Sequence, residues 1–179
     1  MKLLILYGTT EGQTRKIAYF MEAILQNAGH QVTIADTTAE PPAPEEYDAV
    51  IIGSSIHMHK YQSAVKHYIR KHVPELNQMP GAFFSVSLAA ASGLEDEHRE
   101  VQKITTDFLE QTGCKPLMTS QIAGALKYTE YDYFKRLVMK MISKKEGGAT
   151  DTSKDYEYTH WDEETKFINE FVKKTSQKP

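Results

Sequence analysis

The residues most suited to chemistry follow the first apolar run of the chain. Leu3 to Tyr7 breaks into Gly8, Thr9, Thr10, Glu11, Gly12, Gln13 and Thr14, and a helical pattern starts near Gln13. A helix that starts there leaves backbone N–H groups without partners at the positive end of its dipole, which together make an anion site. Thr9, Thr10 and Thr14 add hydroxyl donors, and Gly8 and Gly12 let the backbone come close to a ligand. No Lys precedes Thr14, so this is not the loop that holds nucleotide triphosphates, and the dinucleotide pattern G-x-G-x-x-G is absent. Neutral donors without a cation suit one phosphate monoester. A plain capped corner between strand and helix would use similar residues.

Two further groups could move protons. His57 and His59 carry imidazoles, a group whose reference pKa lies near neutrality, and both are also ordinary surface residues. Their His-x-His spacing hints at a metal, yet no carboxylate or cysteine stands at ligand spacing, so a metal is not expected there. The only cysteine, Cys114, excludes an internal disulfide and fits a reducing compartment.

These groups need a scaffold to position them. Ile17, Phe20, Met21, Ile24 and Leu25 recur at helical spacing up to Gly29. Residues 32–36 read as a second strand, and the prolines at 41, 42 and 44 make 40–46 a loop, neither helix nor central strand. Residues 49–52 are a buried strand ending at Gly53, 54–61 a polar loop, and 63–72 a helix. A fourth strand over 82–86 leads to the small-residue loop 87–93, a helix over 95–111, and a fifth strand over 115–122. Alternating strands and helices predict an α/β doubly wound parallel sheet of five strands in the order 2-1-3-4-5. Ligands of such sheets bind beyond the carboxyl ends of the strands. The loops 9–14, 54–61 and 87–93 all leave those ends.

With 179 residues, 40% of them hydrophobic and 25% charged, the chain reads as a single globular domain over 1–179. Its net charge of -3 argues against nucleic acid as a partner. The N-terminus enters a strand without the layout of a signal peptide, and no apolar run is long enough to span a bilayer. A long insertion, about 125–161, precedes the C-terminal helical pattern of Phe167, Ile168, Phe171 and Val172. Within it, the segment from Tyr131 to Lys145 places Tyr131, Phe134, Leu137, Val138, Met141 and Ile142 on one helical face. Lys135, Arg136, Lys140, Lys144 and Lys145 cluster on or beside the other. Such a helix packs on its own protein or lies on an anionic membrane surface.

The pattern T-x-x-G-x-T after the first strand resembles the FMN-phosphate loop of flavodoxins. Across nearly its whole length, the chain resembles the bacterial flavodoxin-like, quinone-linked protoporphyrinogen IX oxidases. The likeness rests on LILYGTTEGQTRKIA, VIIGSSIHMHKYQSA, MPGAFFSVSLAA, IAGALKY, GGATDTSKDYEYTHW and the insertion itself. It implies an FMN enzyme of heme biosynthesis that oxidises protoporphyrinogen IX to protoporphyrin IX. The electrons would pass to menaquinone or ubiquinone from a peripheral position on the cytoplasmic face of the cell membrane, with contact through Tyr131 to Lys145. The cofactor residues would be Thr9, Thr10, Glu11, Gly12, Gln13 and Thr14 at the phosphate. Ser54, Ser55, Ile56 and His57 would lie on one flavin side, and Ser87, Leu88, Ala89 and Ala90 on the other. Two segments depart from the family pattern. His57-Met58 stands where an Arg-Tyr pair is usual, and Ala89 to Gly93 replaces a polar, basic loop. Fewer fixed cations therefore surround the flavin. A flavodoxin-like electron carrier without a substrate pocket is the alternative reading. A flavin-free scaffold domain docking through the basic helix is a third.

Overall fold

The computed structural model describes residues 1–92, 94–126 and 156–177. Its centre is a parallel sheet of β1 (Lys2–Gly8), β2 (Gln31–Asp36), β3 (Ala49–His57), β5 (Gly81–Ser87) and β6 (Met118–Ala123), ordered β2-β1-β3-β5-β6. This is the expected order of five. A two-residue strand, β4 (Lys60–Tyr61), pairs antiparallel with β3 and enters the count only by position. Helices α1 (Gln13–Asn27), α2 (Ser63–Leu76), α3 (Glu95–Thr112) and α4 (Trp161–Ser176) cover both faces.

The period-two alternation of the strands divides the core into two layers. Leu3, Ile5, Ala49, Ile51, Ala82 and Phe84 face α1 and α4, packing on Ile17, Met21, Leu25, Ile168 and Phe171. Leu4, Leu6, Val50, Ile52 and Phe83 face α2 and α3, packing on Val65, Ile69, Leu76 and Phe108. A strand buried on both faces must be apolar at every position, which is why β1 reads as an unbroken run.

Several boundaries differ from the sequence reading, each for a physical reason. β3 does not stop at Gly53. It continues to His57 by pairing with β5 as far as Ser55 and with β4 beyond it, and position 53 is glycine because the ring of Phe84 on β5 lies where a side chain would stand. A Cβ built there falls 1.9 Å from Phe84 Cζ. Gly53→Ala is therefore expected to cost about 2 kcal/mol by overpacking. A lowered urea midpoint would show it, and Phe84→Leu in the same chain should recover part of the loss.

The expected loop 54–61 is instead a hairpin. Met58 and His59 occupy its tip with φ of 47° and 62°, the paired left-handed conformation of a tight turn. Pro44–Glu46 forms one 3-10 turn within the expected loop, with Pro44 at the first helical position, where its missing N–H costs nothing. α2 runs past residue 72 through a kink at His72 and includes Pro74. β6 begins three residues later than expected. Asn77 holds the approach by accepting from the Lys115 N–H at 2.8 Å and donating to the Gly113 carbonyl at 2.8 Å.

After β6 the chain forms β7 (Ala125–Leu126), paired antiparallel with β8 (Tyr156–Glu157). This ribbon joins the two ends of the expected insertion. The helix expected at 131–145 lies outside the described residues.

Candidate functional site

The carboxyl ends of β1, β3, β5 and β6 meet around one cleft with about 400 Å³ of empty space. Its lining comes from Thr9, Thr10, Glu11, Gln13 and Thr14 after β1, and from Ser55, Ile56 and His57 at the end of β3. Val86, Ser87 and Leu88 at the end of β5 complete it, with Gly124 and Ala125 after β6. A switch point in a parallel sheet opens such a crevice because neighbouring connections depart to opposite faces.

The corner after β1 gathers donors that could meet an anion. Gly12 adopts φ of 91°, a left-handed conformation open to glycine, and turns the chain into α1. Its N–H donates to Thr9 Oγ1 at 2.8 Å. The Lys16 N–H reaches back to the Gly12 carbonyl at 3.0 Å. The preceding N–H groups of the first turn have no intrahelical acceptor. Thr14 is wholly buried, and its hydroxyl has no hydrogen-bond partner among the described residues. Leaving a buried hydroxyl unpaired is costly, so the corner suits a ligand that supplies an acceptor. Thr10 Oγ1 accepts from Gln62 Nε2 at 3.0 Å, which ties the corner to the start of α2.

The side chain of Gln13 is engaged within the fold. Its side-chain amide donates to Thr159 Oγ1 at 2.9 Å, and Thr159 donates in turn to the Ala123 carbonyl at 2.7 Å. Lys16 pairs with Glu157 and lies 5.2 Å from the centre of the Trp161 ring. The stretch entering α4 is thus strapped to the first turns of α1, and the backbone N–H of Gln13 is the donor left for a ligand.

A second cleft shares Ile56, His57, Ser87 and Leu88 with the first. It continues over Met58, His59, Ala89, Glu97, Glu100, Val101 and Ile104. His59 Nδ1 lies 2.9 Å from Glu100 Oε1 on α3. Tyr61 anchors the hairpin that carries His59. Its hydroxyl donates to Ser85 Oγ at 2.8 Å, and its ring packs on Phe83 and Phe108. Burial pushes the Tyr61 phenol above its usual range, so it stays a neutral donor. Met58, at the tip, is 70% exposed. Neither cleft is lined by Lys or Arg among the described residues.

Most of the expected cofactor residues thus share one cleft, and four do not line it. Gly12 lies on an outer groove with Arg15, Lys16 and Tyr19. Ser54 is wholly buried, its hydroxyl without a partner among the described residues. Ala89 lines the second cleft, and the Ala90 N–H donates to Ser87 Oγ at 3.1 Å. Val86, Gly124 and Ala125 were not among the expected residues. The strand-end rule that nominates three loops also nominates the fourth, after β6.

Doubly wound topology and a neutral anion corner after β1 define a flavodoxin-type domain, a fold that holds flavin. Residues 4–153 match the model of the flavodoxin domain family. Among solved structures, oxidised flavodoxin 1 from Bacillus cereus aligns with a TM-score of 0.57 at 14% identity, covering 97% of this chain and 98% of that one. An archaeal flavodoxin gives the same score at 12% identity, over 99% and 100%. These two likenesses speak for the fold alone. Closer in sequence is protoporphyrinogen IX dehydrogenase (quinone) of Escherichia coli K12, 38% identical over 178 residues, 99% of this chain and 98% of that protein. The enzyme of the same name from Leishmania major is 34% identical, over 96% of this chain and 74% of its own. The chain belongs to the protoporphyrinogen IX dehydrogenase (quinone) family of flavodoxin-domain proteins.

The residues present fit a flavin. The buried Thr14 hydroxyl asks for an acceptor at the positive end of α1, and the lack of a cation among the described residues of the cleft suits a monoester phosphate. Ser55 Oγ, also buried and without a partner among the described residues, stands on the wall beside it.

Proposed function

We propose that this chain is an FMN-dependent protoporphyrinogen IX dehydrogenase that passes electrons to a quinone, menaquinone or ubiquinone. The observation that carries this reading is the cleft at four strand ends, with the orphaned Thr14 hydroxyl at its anion corner, in a chain of this family. Bound FMN would supply the redox chemistry, accepting a hydride equivalent and handing electrons on. Thr9, Thr14 and the first N–H groups of α1 would hold its phosphate. Residues 55–57 and 86–88 would flank its ring, and Gly124 and Ala125 would close the fourth side.

Each oxidation step on a porphyrinogen removes a hydride equivalent from a bridging carbon together with one proton, which leaves from nitrogen or from carbon. The second cleft, opening beside the first, offers an apolar wall of Ile56, Leu88, Val101 and Ile104 for a flat tetrapyrrole. His59 would take the proton at Nε2, since Nδ1–H is engaged by Glu100. Glu100 is then a positioning residue that holds the ring and its tautomer. A half-exposed ion pair is worth at most about 1 kcal/mol. Glu100→Gln is therefore expected to lower kcat/KM by up to about fivefold and to change its pH profile, with FMN affinity unchanged. An unaltered profile would remove the pair from the reaction.

No described helix is long and apolar enough to cross a membrane. A membrane quinone would be met from the cytoplasmic surface, and the segment 131–145, read from sequence alone, is the proposed contact. The deciding experiment reconstitutes the chain with FMN and follows protoporphyrinogen oxidation against autoxidation, with and without a quinone. Quinone-dependent turnover is expected. Bound FMN without turnover would leave the electron carrier as the reading.

A further inference from the structure

Away from the cleft, the fold gathers three side chains for which the proposed reaction has no use. The clefts lie at the carboxyl ends of the strands, where α2 begins. α2 runs back along the sheet and carries His72 and Glu75 near its far end, at the i, i+3 spacing that places two side chains on one face. The 3-10 turn Pro44–Glu46, just before β3, supplies Glu45 from the chain beside it. Tyr68 ties the two pieces together, its hydroxyl donating to the Pro42 carbonyl at 2.7 Å. One imidazole nitrogen of His72 and one carboxylate oxygen each from Glu45 and Glu75 lie within 4.8 Å of one another.

Two observations set this cluster apart from a chance meeting of surface acids. His72 is only 8% exposed, and its ring packs against Tyr68 with centroids 4.7 Å apart. Glu75 Oε2 is buried and has no hydrogen-bond partner among the described residues. A buried carboxylate oxygen costs free energy when unpaired, and a cation held beside the imidazole would satisfy it.

We propose that Glu45, His72 and Glu75 form a binding site for a divalent transition-metal ion of the zinc class. One imidazole and two carboxylates are a donor set zinc accepts, with water completing a tetrahedron. Bonds of about 2.1 Å place tetrahedral ligands about 3.4 Å apart, so the three must draw together by about 1 Å. Glu45 is exposed and free to swing inward. The bound ion would clamp the kinked end of α2, where His72 leaves helical geometry at φ -120° and ψ 19°, to the turn before β3. None of the three residues lines either cleft, so this role is independent of the proposed reaction.

The test uses the full flavin-loaded chain, without an affinity tag, treated with a chelator and then titrated with Zn²⁺ by calorimetry. One equivalent per chain is expected. At a free zinc concentration about 100 times Kd, the melting temperature should rise by about 5–10 °C. Glu45→Gln, a change at an exposed side chain, should weaken zinc at least tenfold and abolish most of that rise, with FMN affinity unchanged. Glu75→Gln should do the same. No zinc binding would overturn the proposal. So would one-equivalent binding that both variants retain, which would place the ion elsewhere.

Discussion

A Thr14→Val variant is expected to bind FMN about 10- to 150-fold more weakly while folding like its parent. The hydroxyl of Thr14 is wholly buried at the start of α1 and has no partner among the described residues. A hydrogen bond from it to a phosphate would be charge-assisted, worth about 1.5–3 kcal/mol. Valine keeps the shape and removes that bond. The flavin-free protein loses nothing by the change, because a buried hydroxyl without a partner already costs stability. Its melting temperature should stay level or rise slightly. Titration followed by quenching of FMN fluorescence measures the affinity. An unchanged value would move the phosphate away from this corner.

Replacing Glu164 by Gln is expected to stabilise the protein by up to about 3 kcal/mol at pH 8 and by nothing near pH 4. Glu164 lies in the first turn of α4, 4% exposed, and its Oε2 is buried without a partner among the described residues. Burial, helped by the neighbouring Glu163, pushes its carboxyl up to about 7 from an ordinary value of 4.5. A folded-state value above the unfolded one means that the native state holds the proton more tightly. The group's favourable contribution is therefore complete below about pH 4.5 and is lost as pH rises through 7. The amide of Gln stays neutral throughout and escapes that loss, though its own unpaired atoms offset part of the gain. Urea midpoints of parent and variant at both pH values measure the difference. A gain that does not shrink on acidification would show that the carboxylate is ionised at little cost.

The candidate site divides along the same line as the rest of the fold. The corner after β1 was legible as strand, loop and helix start because it is local: these are contiguous from Leu3 to Thr14, and the donors they expose need no distant residue to explain them. The sheet order was legible too, since doubly apolar runs alternating with helical periods leave few topologies open. The His59–Glu100 pair, proposed to handle the proton, was half legible. His59 stood out by type, whereas Glu100 lies in a charged helix face among other acids and gains meaning only when α3 packs beside the hairpin. The hairpin itself escaped, for Met58 and His59 carry none of the Asn or Gly that usually mark a turn with positive φ.

By itself, the amino-acid sequence determined what depends on neighbours along the chain: the periodicities of α1 to α4, the buried strands, and the hydroxyl-rich corner after β1. Only the tertiary structure decided what depends on neighbours across it. Gly53 reads as a strand end until the Phe84 ring fills its missing side chain. The Gln13 side chain reads as one more loop amide until its bond to Thr159 ties α1 to the stretch entering α4. Glu45, His72 and Glu75 read as three scattered polar residues until α2 and the Pro44–Glu46 turn bring them within 4.8 Å. The physical reason is range. Backbone propensity and helix-end electrostatics act within a few residues, whereas packing, buried hydrogen bonds and ligand geometry act between atoms that the chain alone does not bring together.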